Sequence, residues 1–112
     1  MYYYKVEILR VVDGDTVDVR MDLGFNVWHK CRVRLMGINA PESRTRDLEE
    51  KAKGLASKDW LIQKLESADV QMQSHGVGKY GRVLGTLYID DVDLNNLMVE
   101  AGHAVKYDGG KR

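Results

Sequence analysis

Apolar and polar residues alternate along the first third of the chain, in the period-two pattern of half-buried β-strands. The alternation predicts a first strand over residues 2–12, a second over residues 16–21 and a long third over residues 26–38. An Asp-Gly dipeptide follows the first strand and is a strong turn signal. A second turn, at residues 22–24, precedes the third strand. We therefore expect a hairpin that continues into a three-stranded meander.

The pattern changes to a helical period over residues 46–65, where the apolar residues fall mostly on one face. Those residues are Leu48, Ala52, Leu55, Ala56 and Ile62. Gly54 lies within the same segment and lowers its helix propensity. A single helix that buries its leucine, isoleucine and alanine face is the expectation for this part of the chain.

Beyond this helix the pattern predicts two further strands, at residues 70–73 and 83–89, separated by a glycine-rich loop. Asp93 is placed to cap a short helix over residues 94–101, because its carboxylate can accept hydrogen bonds from the first turn. Gly102 then ends that helix at the position that favours a left-handed residue.

Three strands, a helix and two more strands is the element order of the five-stranded OB-fold barrel. The predicted fold is therefore mainly β, with one helix between strands 3 and 4 and a short helix after strand 5. In that fold the helix plugs one end of the barrel, and the loops of one face bind ligand. A mixed α+β sandwich built from the same elements is the alternative. We expect a single domain over residues 1–107 and a flexible tail at residues 108–112.

The composition limits the possible partners. The 112 residues include 17 basic and 17 acidic side chains, so no overall positive field attracts nucleic acid, and a polyanion site must come from local clustering. Cys31 is the only cysteine, which excludes an intrachain disulfide and a cysteine-based zinc site, and it is expected to be buried.

No apolar run approaches the roughly 18 residues of a membrane span, and the first residues do not resemble a signal peptide. We expect a cytoplasmic monomer with no membrane partner; the alternative is a mature secreted domain.

The end of the third strand carries the first group of candidate catalytic residues. Residues 34–42 (RLMGINAPE) place an arginine, an amide and a carboxylate close together. Pro41 stops strand pairing because it lacks an N–H and favours an extended residue before it. Arg34, a cation that can pair with an anion, is thereby held near Glu42, a possible general base.

A second group lies in the first hairpin, at residues 12–16 (VDGDT). Asp13 and Asp15 are common turn formers, which is the simpler interpretation of each alone. A barrel would bring Asp15 beside Asn39 at the neighbouring strand end. Oxygen atoms from Asp15, Asn39 and a backbone carbonyl would suit Ca²⁺ or Mg²⁺, with water completing the coordination.

The third group is residues 79–82 (KYGR), just before the fifth strand. It is either a plain hairpin turn with solvated charges or the source of a second guanidinium, Arg82, suited to two phosphate oxygens. Two arginines, a carboxylate and a cation are what phosphodiester cleavage needs, since the positive groups stabilise charge on phosphorus and the carboxylate activates water. An acyl or glycosyl hydrolase would need a nucleophile with its base or two opposed carboxylates, and the sequence offers neither.

In this order, the three groups resemble the staphylococcal nuclease-like (thermonuclease) family, from about residue 11 to residue 102. The resemblance implies Ca²⁺-dependent hydrolysis of DNA and RNA that leaves 3′-phosphate ends. We expect Mg²⁺ and Mn²⁺ to be alternative ions and single-stranded nucleic acid to be the preferred substrate. It also implies a role for each matching residue. Arg34 and Arg82 clamp phosphate, and Glu42 activates water. The metal is bound by Asp15, Asn39 and the Ala40 carbonyl, with support from Asp13 and Thr16. The substrate is contacted by Lys79, Tyr80 and Tyr107.

Some positions depart from the family pattern. The family usually has aspartate where this chain has Asn39, so we expect weak cation binding. The loop after Glu42 is more basic than usual, and its Arg44 and Arg46 either touch phosphate or form a solvated face. The sequence ends soon after the second predicted helix, where the family has a further helix, and Tyr107 is expected to replace one of that region's tyrosines. The alternative function is a catalytically weak or inactive OB-fold module that binds nucleic acid or protein.

Overall fold

The computed structural model describes residues 3–78 and 81–107. The predicted tail at residues 108–112, and the predicted substrate contacts Lys79 and Tyr80, lie outside the described residues. The strands are β1 (Tyr3–Asp13), β2 (Thr16–Asp22), β3 (Trp28–Leu35), β4 (Ile38–Asn39), β5 (Val70–Val77), β6 (Val83–Ile89), β7 (Val92–Asp93) and β8 (Val105–Lys106). The helices are α1 (Leu48–Leu65) and α2 (Leu94–Glu100).

Five of the strands close into a barrel. Its order is β3-β2-β1-β5-β6, and every neighbouring pair along that order is antiparallel. A parallel pairing of β3 with β6, in which Val33 lies opposite Val83, closes the circle. Since α1 separates the third and fourth barrel strands and α2 follows the fifth, the predicted OB-fold barrel is confirmed and the sandwich alternative is excluded.

Side-chain alternation along the strands fills the barrel with aliphatic residues. On β3, Val33 and Leu35 are fully buried, whereas Arg32 and Met36 are exposed, as the sequence pattern predicts. Cys31 is only half-buried; its Sγ lies 3.5 Å from the Met21 sulfur, and desolvation by burial raises the pKa of its thiol. The residues with no exposed surface are Val17, Val19, Val33, Leu35, Leu61, Met72, Leu87 and Met98.

The helix α1 forms where it is predicted, but the predicted buried face is wrong. Asp47 caps the helix, accepting hydrogen bonds from the N–H groups of Glu49 and Glu50. The apolar residues Leu48, Ala52, Leu55, Ala56 and Ile62 are exposed. The buried positions are Gly54, Ser57, Leu61 and Leu65. The helix therefore turns two small residues and two leucines towards the barrel.

Gly54 explains this choice of face. A Cβ atom added at Gly54 would lie 2.6 Å from the backbone nitrogen of Ser43, and closer still to the backbone carbonyl of Glu42. Any side chain there would collide with main chain rather than with a flexible group. The close approach of α1 to residues 42–43 thus overrides the helical hydrophobic pattern.

Three strand boundaries differ by two or more residues from the predicted ones, and the third strand ends at Leu35 rather than at residue 38. The third strand begins at Trp28 rather than residue 26, because Phe25 and Asn26 adopt left-handed turn conformations with φ of 55° and 62°. The fourth barrel strand continues to Val77 instead of ending at residue 73. The pairing of this strand with β6 is irregular near Gly76, where φ is 111°, so a glycine that the sequence pattern assigns to a loop lies within the strand.

The second helix returns the chain to the end of β3. Asp93 caps α2 through Asn96, and Gly102 has a φ of 81°, as predicted. The His103 N–H donates to the Met98 carbonyl at 2.9 Å, which is the 6→1 hydrogen bond of a Schellman motif. The chain then forms β8, which pairs with β4. Neither helix in the described ranges is long and apolar enough to cross a lipid bilayer.

Candidate active site

Most of the residues that the sequence singles out line one cleft of about 570 Å³, where the β1–β2 turn, the end of β3 and the start of β6 meet. Its lining residues are Asp13, Asp15, Thr16, Arg34, Asn39, Ala40, Glu42, Gly78, Arg82, Leu84 and Tyr107. The three sequence motifs therefore converge in space, although the chemical roles assigned to their residues stay predictions.

Asp15 ties the β1–β2 turn to the segment that follows β3. The Leu35 N–H donates to the Asp15 backbone carbonyl at 2.8 Å. The Ala40 N–H donates to Asp15 Oδ2 at 2.9 Å, and the Thr16 hydroxyl donates to Oδ1 at 3.0 Å. Because both carboxylate oxygens are engaged and the residue is 9% exposed, the Asp15 side chain is fixed beside Asn39 and Ala40.

Asp13 is held by a residue that sequence reasoning missed. Ser43 donates to Asp13 Oδ1 from its backbone N–H at 3.2 Å and also from its hydroxyl. Ser43 is 3% exposed, so this contact is well protected. A small hydroxyl residue directly after Glu42 was the only sequence signal, and it is not specific. Asp13 thereby anchors the loop that carries Glu42.

Gly54 is the second missed residue, and it supports Glu42 from the opposite side. Its lack of a side chain lets α1 lie against the backbone of residues 42–43. An isolated glycine inside an otherwise regular helix pattern is a usable sign of such a contact. Asp13 on one side and α1 on the other therefore fix the main chain at Glu42, while its side chain remains exposed.

Arg34 is held at the rim of the cleft by main chain and by neighbouring polar groups. Its Nη1 donates to the Leu35 carbonyl at 2.8 Å, and its Nη2 lies 3.7 Å from Asp15 Oδ2 and 3.5 Å from Asn39 Oδ1. The guanidinium carbon is 5.9 Å from the centroid of the Tyr107 ring. The Arg34 side chain is only 16% exposed, so it is positioned before any ligand arrives.

Tyr107 reaches the cleft through the small β4–β8 sheet. Asn39 pairs with Val105 in that sheet, and the Tyr107 N–H donates to the Gly37 carbonyl at 2.8 Å. This pairing explains how a residue more than sixty positions away in sequence comes to lie beside Arg34.

Glu42 and Arg82 differ from the other charged residues of the cleft. Within residues 3–78 and 81–107, neither side chain makes a hydrogen bond or an ion pair. Arg82 is half-buried, and its backbone carbonyl accepts from the Gly78 N–H at 2.7 Å. A carboxylate and a guanidinium thus line the same cleft with their hydrogen-bonding capacity unused.

The donor atoms around Asp15 fit a hard cation in kind but carry little negative charge. Asp15, Asn39 and Ala40 offer carboxylate, amide and carbonyl oxygens, the ligand types that Ca²⁺ and Mg²⁺ prefer. No group of three or more His, Cys, Asp or Glu side chains is arranged to hold a metal in the described part of the chain. Arg34 also places a positive charge 3.7 Å from Asp15, which opposes cation binding.

The family model described as staphylococcal nuclease homologue matches residues 32–111. The chain is 31% identical to micrococcal nuclease of Shigella flexneri, over 93% of this chain and 59% of that protein. It is 34% identical to an uncharacterized endonuclease of Escherichia coli, over 90% of this chain and 60% of that protein. The chain spans about half to three-fifths of the length of the curated relatives it matches.

Proposed function

This chain belongs to the staphylococcal nuclease homologue family, and from that premise we propose that it is a divalent-metal-dependent nuclease. Its substrate is DNA, RNA or both, and its products carry 3′-phosphate ends. The observation that supports the proposal best is the convergence of Arg34, Glu42 and Arg82 on one cleft beside Asp15. We further propose that it acts as a monomer, since every catalytic group in this scheme belongs to one chain.

In this mechanism Glu42 accepts a proton from the attacking water, whose oxygen forms a bond to phosphorus. The bond from phosphorus to the 5′ oxygen breaks, and that oxygen takes up a proton from solvent. Glu42 suits this role because its side chain is exposed in the cleft and has no partner among the described residues.

Arg34 and Arg82 stabilise the negative charge that develops on the phosphoryl oxygens. A planar guanidinium can donate two parallel hydrogen bonds to a phosphate, which also fixes its orientation. The hydrogen bond from Arg34 to the Leu35 carbonyl leaves further N–H groups of the same guanidinium for substrate. Its position requires no rearrangement during the reaction, which is what makes such stabilisation effective.

Asp15, Asn39 and the Ala40 carbonyl would hold a Ca²⁺ ion, which supplies Lewis-acid stabilisation of the phosphoryl oxygens when bound. The low formal charge of this donor set makes the affinity weak, in the millimolar range of about 10⁻⁴–10⁻³ M that low-charge sites show. Mg²⁺ and Mn²⁺ are the alternative ions.

An apolar recess beside the cleft supports a preference for single-stranded nucleic acid. It measures about 350 Å³ and its walls include Leu84, Met36, Ile38 and Tyr107, next to Arg34. An unpaired base can enter such a recess and stack on the tyrosine ring, whereas a base within a duplex stays stacked on its neighbours.

Asn39 favours a second candidate function, a barrel that binds nucleic acid without cleaving it. An amide in place of a carboxylate removes one negative charge from the proposed metal site. In that case Arg34 and Arg82 would still hold phosphate, and the unused carboxylate of Glu42 would have no catalytic role.

Cleavage assays distinguish the two candidates. Single-stranded DNA, plasmid DNA and RNA are incubated with Ca²⁺, Mg²⁺, Mn²⁺ or EDTA, and the product ends are analysed for phosphate. Arg82→Lys should lower the rate by about 10²–10³-fold, the effect of removing a positioned charge-stabilising donor. Arg46→Lys is the matched control, because Arg46 is exposed and does not line the cleft. Binding without cleavage under every metal condition would favour the second candidate, and absence of both would contradict the two together.

A further inference from the structure

A second cleft adjoins the proposed catalytic one. It measures about 460 Å³, and three of its lining residues, Asp13, Thr16 and Arg82, also line the catalytic cleft. Its remaining walls are Val12, Arg32, Arg44 and Gly81. A strand of nucleic acid that leaves the catalytic cleft past Arg82 therefore enters a space bordered by two further arginines.

The charges around this second cleft are positive in balance. The Asp13 carboxylate is already hydrogen-bonded by Ser43, and the Arg32 charge is balanced by Asp18. Arg44 is exposed and, in residues 3–78 and 81–107, its side chain forms no ion pair, as is also true of Arg82. These two guanidinium groups are consequently available to an anion.

Arg32 contributes shape more than charge. Its Nε and Nη2 donate to the two carboxylate oxygens of Asp18 at 2.8 and 3.2 Å, which fixes the plane of the guanidinium. Two of its five N–H groups are used in this way, which leaves three N–H groups held in the same fixed plane. Arg32 and Arg34 are two residues apart on β3, so they lie on the same strand face about 6.6 Å apart along it.

We propose that this second cleft is a phosphate subsite for the nucleotide next to the scissile phosphate, formed by Arg44 and Arg82 with Arg32 as a rigid wall. The subsite rests on the proposed nuclease function and extends it, because it determines how much of a single strand the protein holds. The ligand is a backbone phosphate of a single-stranded nucleic acid, and no base is read there. The overall neutral charge of the chain makes such local clustering the available source of affinity.

The test measures the affinity of a labelled single-stranded oligonucleotide as salt is raised between about 50 and 200 mM. Binding is followed in EDTA, and again with Ca²⁺ in a Glu42→Gln background that prevents turnover. Arg44→Gln should weaken binding roughly threefold to tenfold at the lower salt concentration, as expected for loss of an exposed charged contact. It should also reduce the slope of log affinity against log salt by about 0.7, the value for one single-strand phosphate contact.

Arg46→Gln is the matched control, because it removes the same charge from the same exposed loop without touching the cleft. A dinucleotide, which has one phosphodiester, should be bound with little difference between the two variants. Arg32→Gln should weaken oligonucleotide binding less than Arg44→Gln, since Asp18 already balances its charge.

The outcomes separate this proposal from the nuclease function. If Arg44→Gln and Arg46→Gln have equal affinity and equal salt slope while cleavage is observed, the subsite is wrong and the nuclease function stands. If binding depends on Arg44 but no metal supports cleavage, the subsite stands and the catalytic proposal fails. If the wild-type protein binds no oligonucleotide in EDTA or in Ca²⁺, the subsite is overturned.

Discussion

Charged side chains are held differently in the cleft and on the outer wall of the barrel. In the cleft, the Asp15 carboxylate accepts from the main-chain N–H of Ala40, and Arg34 donates to the main-chain carbonyl of Leu35. On the outer wall, Asp18 and Arg32 bind one another through two hydrogen bonds. The paired side chains there are more open to water, with Arg32 47% exposed against 16% for Arg34.

The difference shows which charges are available to a ligand. Main-chain contacts position Arg34 and Asp15 while leaving Glu42 and Arg82, on the same cleft, without a partner in the described ranges. On the outer wall, the charges of Arg32 and Asp18 balance one another. A surface ion pair of that kind contributes about 0–1 kcal/mol and has little left to offer a substrate.

The largest effect is expected at Glu42, the exposed carboxylate of the cleft. Glu42→Gln keeps the size of the side chain but cannot accept a proton from water, so the cleavage rate should fall by at least roughly 10²-fold. Oligonucleotide affinity and the free energy of unfolding should remain close to the wild-type values, because the side chain is exposed.

Glu66→Gln is the control for Glu42→Gln, since Glu66 is an exposed glutamate at the far end of α1. It should cleave at the wild-type rate. Retention of a third or more of wild-type activity by Glu42→Gln would contradict the assignment of Glu42 as the base.

The next effect tests the main-chain support of the cleft. Gly54→Ala should lower the free energy of unfolding by about 1–3 kcal/mol, because the added methyl group overpacks the contact with the backbone of Glu42 and Ser43. This opposes the gain of about 1 kcal/mol that alanine brings to an ordinary helix position. The cleavage rate should fall as well, since Glu42 would be displaced. Thermal or denaturant unfolding and steady-state kinetics measure both quantities.

The exposed residue Ala56 supplies the comparison for Gly54. Ala56→Gly should cost about 1 kcal/mol of stability through helix propensity alone and leave cleavage unchanged. If Gly54→Ala instead stabilises the protein, the close approach of α1 to the Glu42 loop is not under steric constraint.

Local signals predicted much of the fold, and tertiary contacts account for the rest. The fifth strand, Val83–Ile89, has the predicted bounds, and Asp93 caps α2 as expected, because strand alternation and capping depend on neighbouring residues. The buried face of α1 was predicted wrongly because Leu55 and Ile62 follow the helical period but face water. That choice depends on the approach of Gly54 to the backbone of residues 42–43, and an isolated glycine in a helix indicates a close contact without identifying its partner.

The candidate site was predictable to a similar extent. Asp15, Arg34 and Arg82 could be selected by residue type and motif order, and the barrel brings them together. Ser43 could not, because its importance arises from its contact with Asp13, thirty residues away. Residue type indicates which groups can perform the chemistry, whereas the residues that hold them depend on contacts between distant segments.

A smaller effect is expected from restoring charge to the proposed metal site. Asn39→Asp should tighten Ca²⁺ binding by at least roughly tenfold, because one more unit charge about 4 Å from a divalent ion is worth about 2–8 kcal/mol at effective dielectric constants of 80 to 20, before the cost of dehydrating the carboxylate. Arg34 offsets part of this gain in Ca²⁺ affinity, because its positively charged Nη2 lies 3.5 Å from the Asn39 oxygen. Cleavage should increase at limiting Ca²⁺ and change little at saturation.

Calorimetric titration of both proteins with Ca²⁺ measures this difference directly. Equal affinities would contradict the argument that charge limits the site. Failure of both proteins to bind Ca²⁺ and to cleave would favour the binding module instead.

The smallest effect is expected on the outer wall, from Asp18→Asn. The hydrogen bond from Arg32 is the main cause of a lowered pKa for Asp18, which burial opposes and the nearby charges of Arg32 and Arg10 reinforce. A carboxyl group whose pKa is lower in the folded than in the unfolded state stabilises the fold above its unfolded pKa, about 3.9, and loses that contribution as pH falls through the folded value. Wild type should therefore exceed Asp18→Asn in free energy of unfolding by at most about 1 kcal/mol near pH 7, and the difference should shrink below about pH 4.

Urea unfolding across this pH range measures the difference in free energy, and a double-mutant cycle with Arg32→Gln isolates the interaction energy of the Asp18–Arg32 pair. A difference that persists or grows in acid would show that Asp18 stabilises the barrel by something other than its charge.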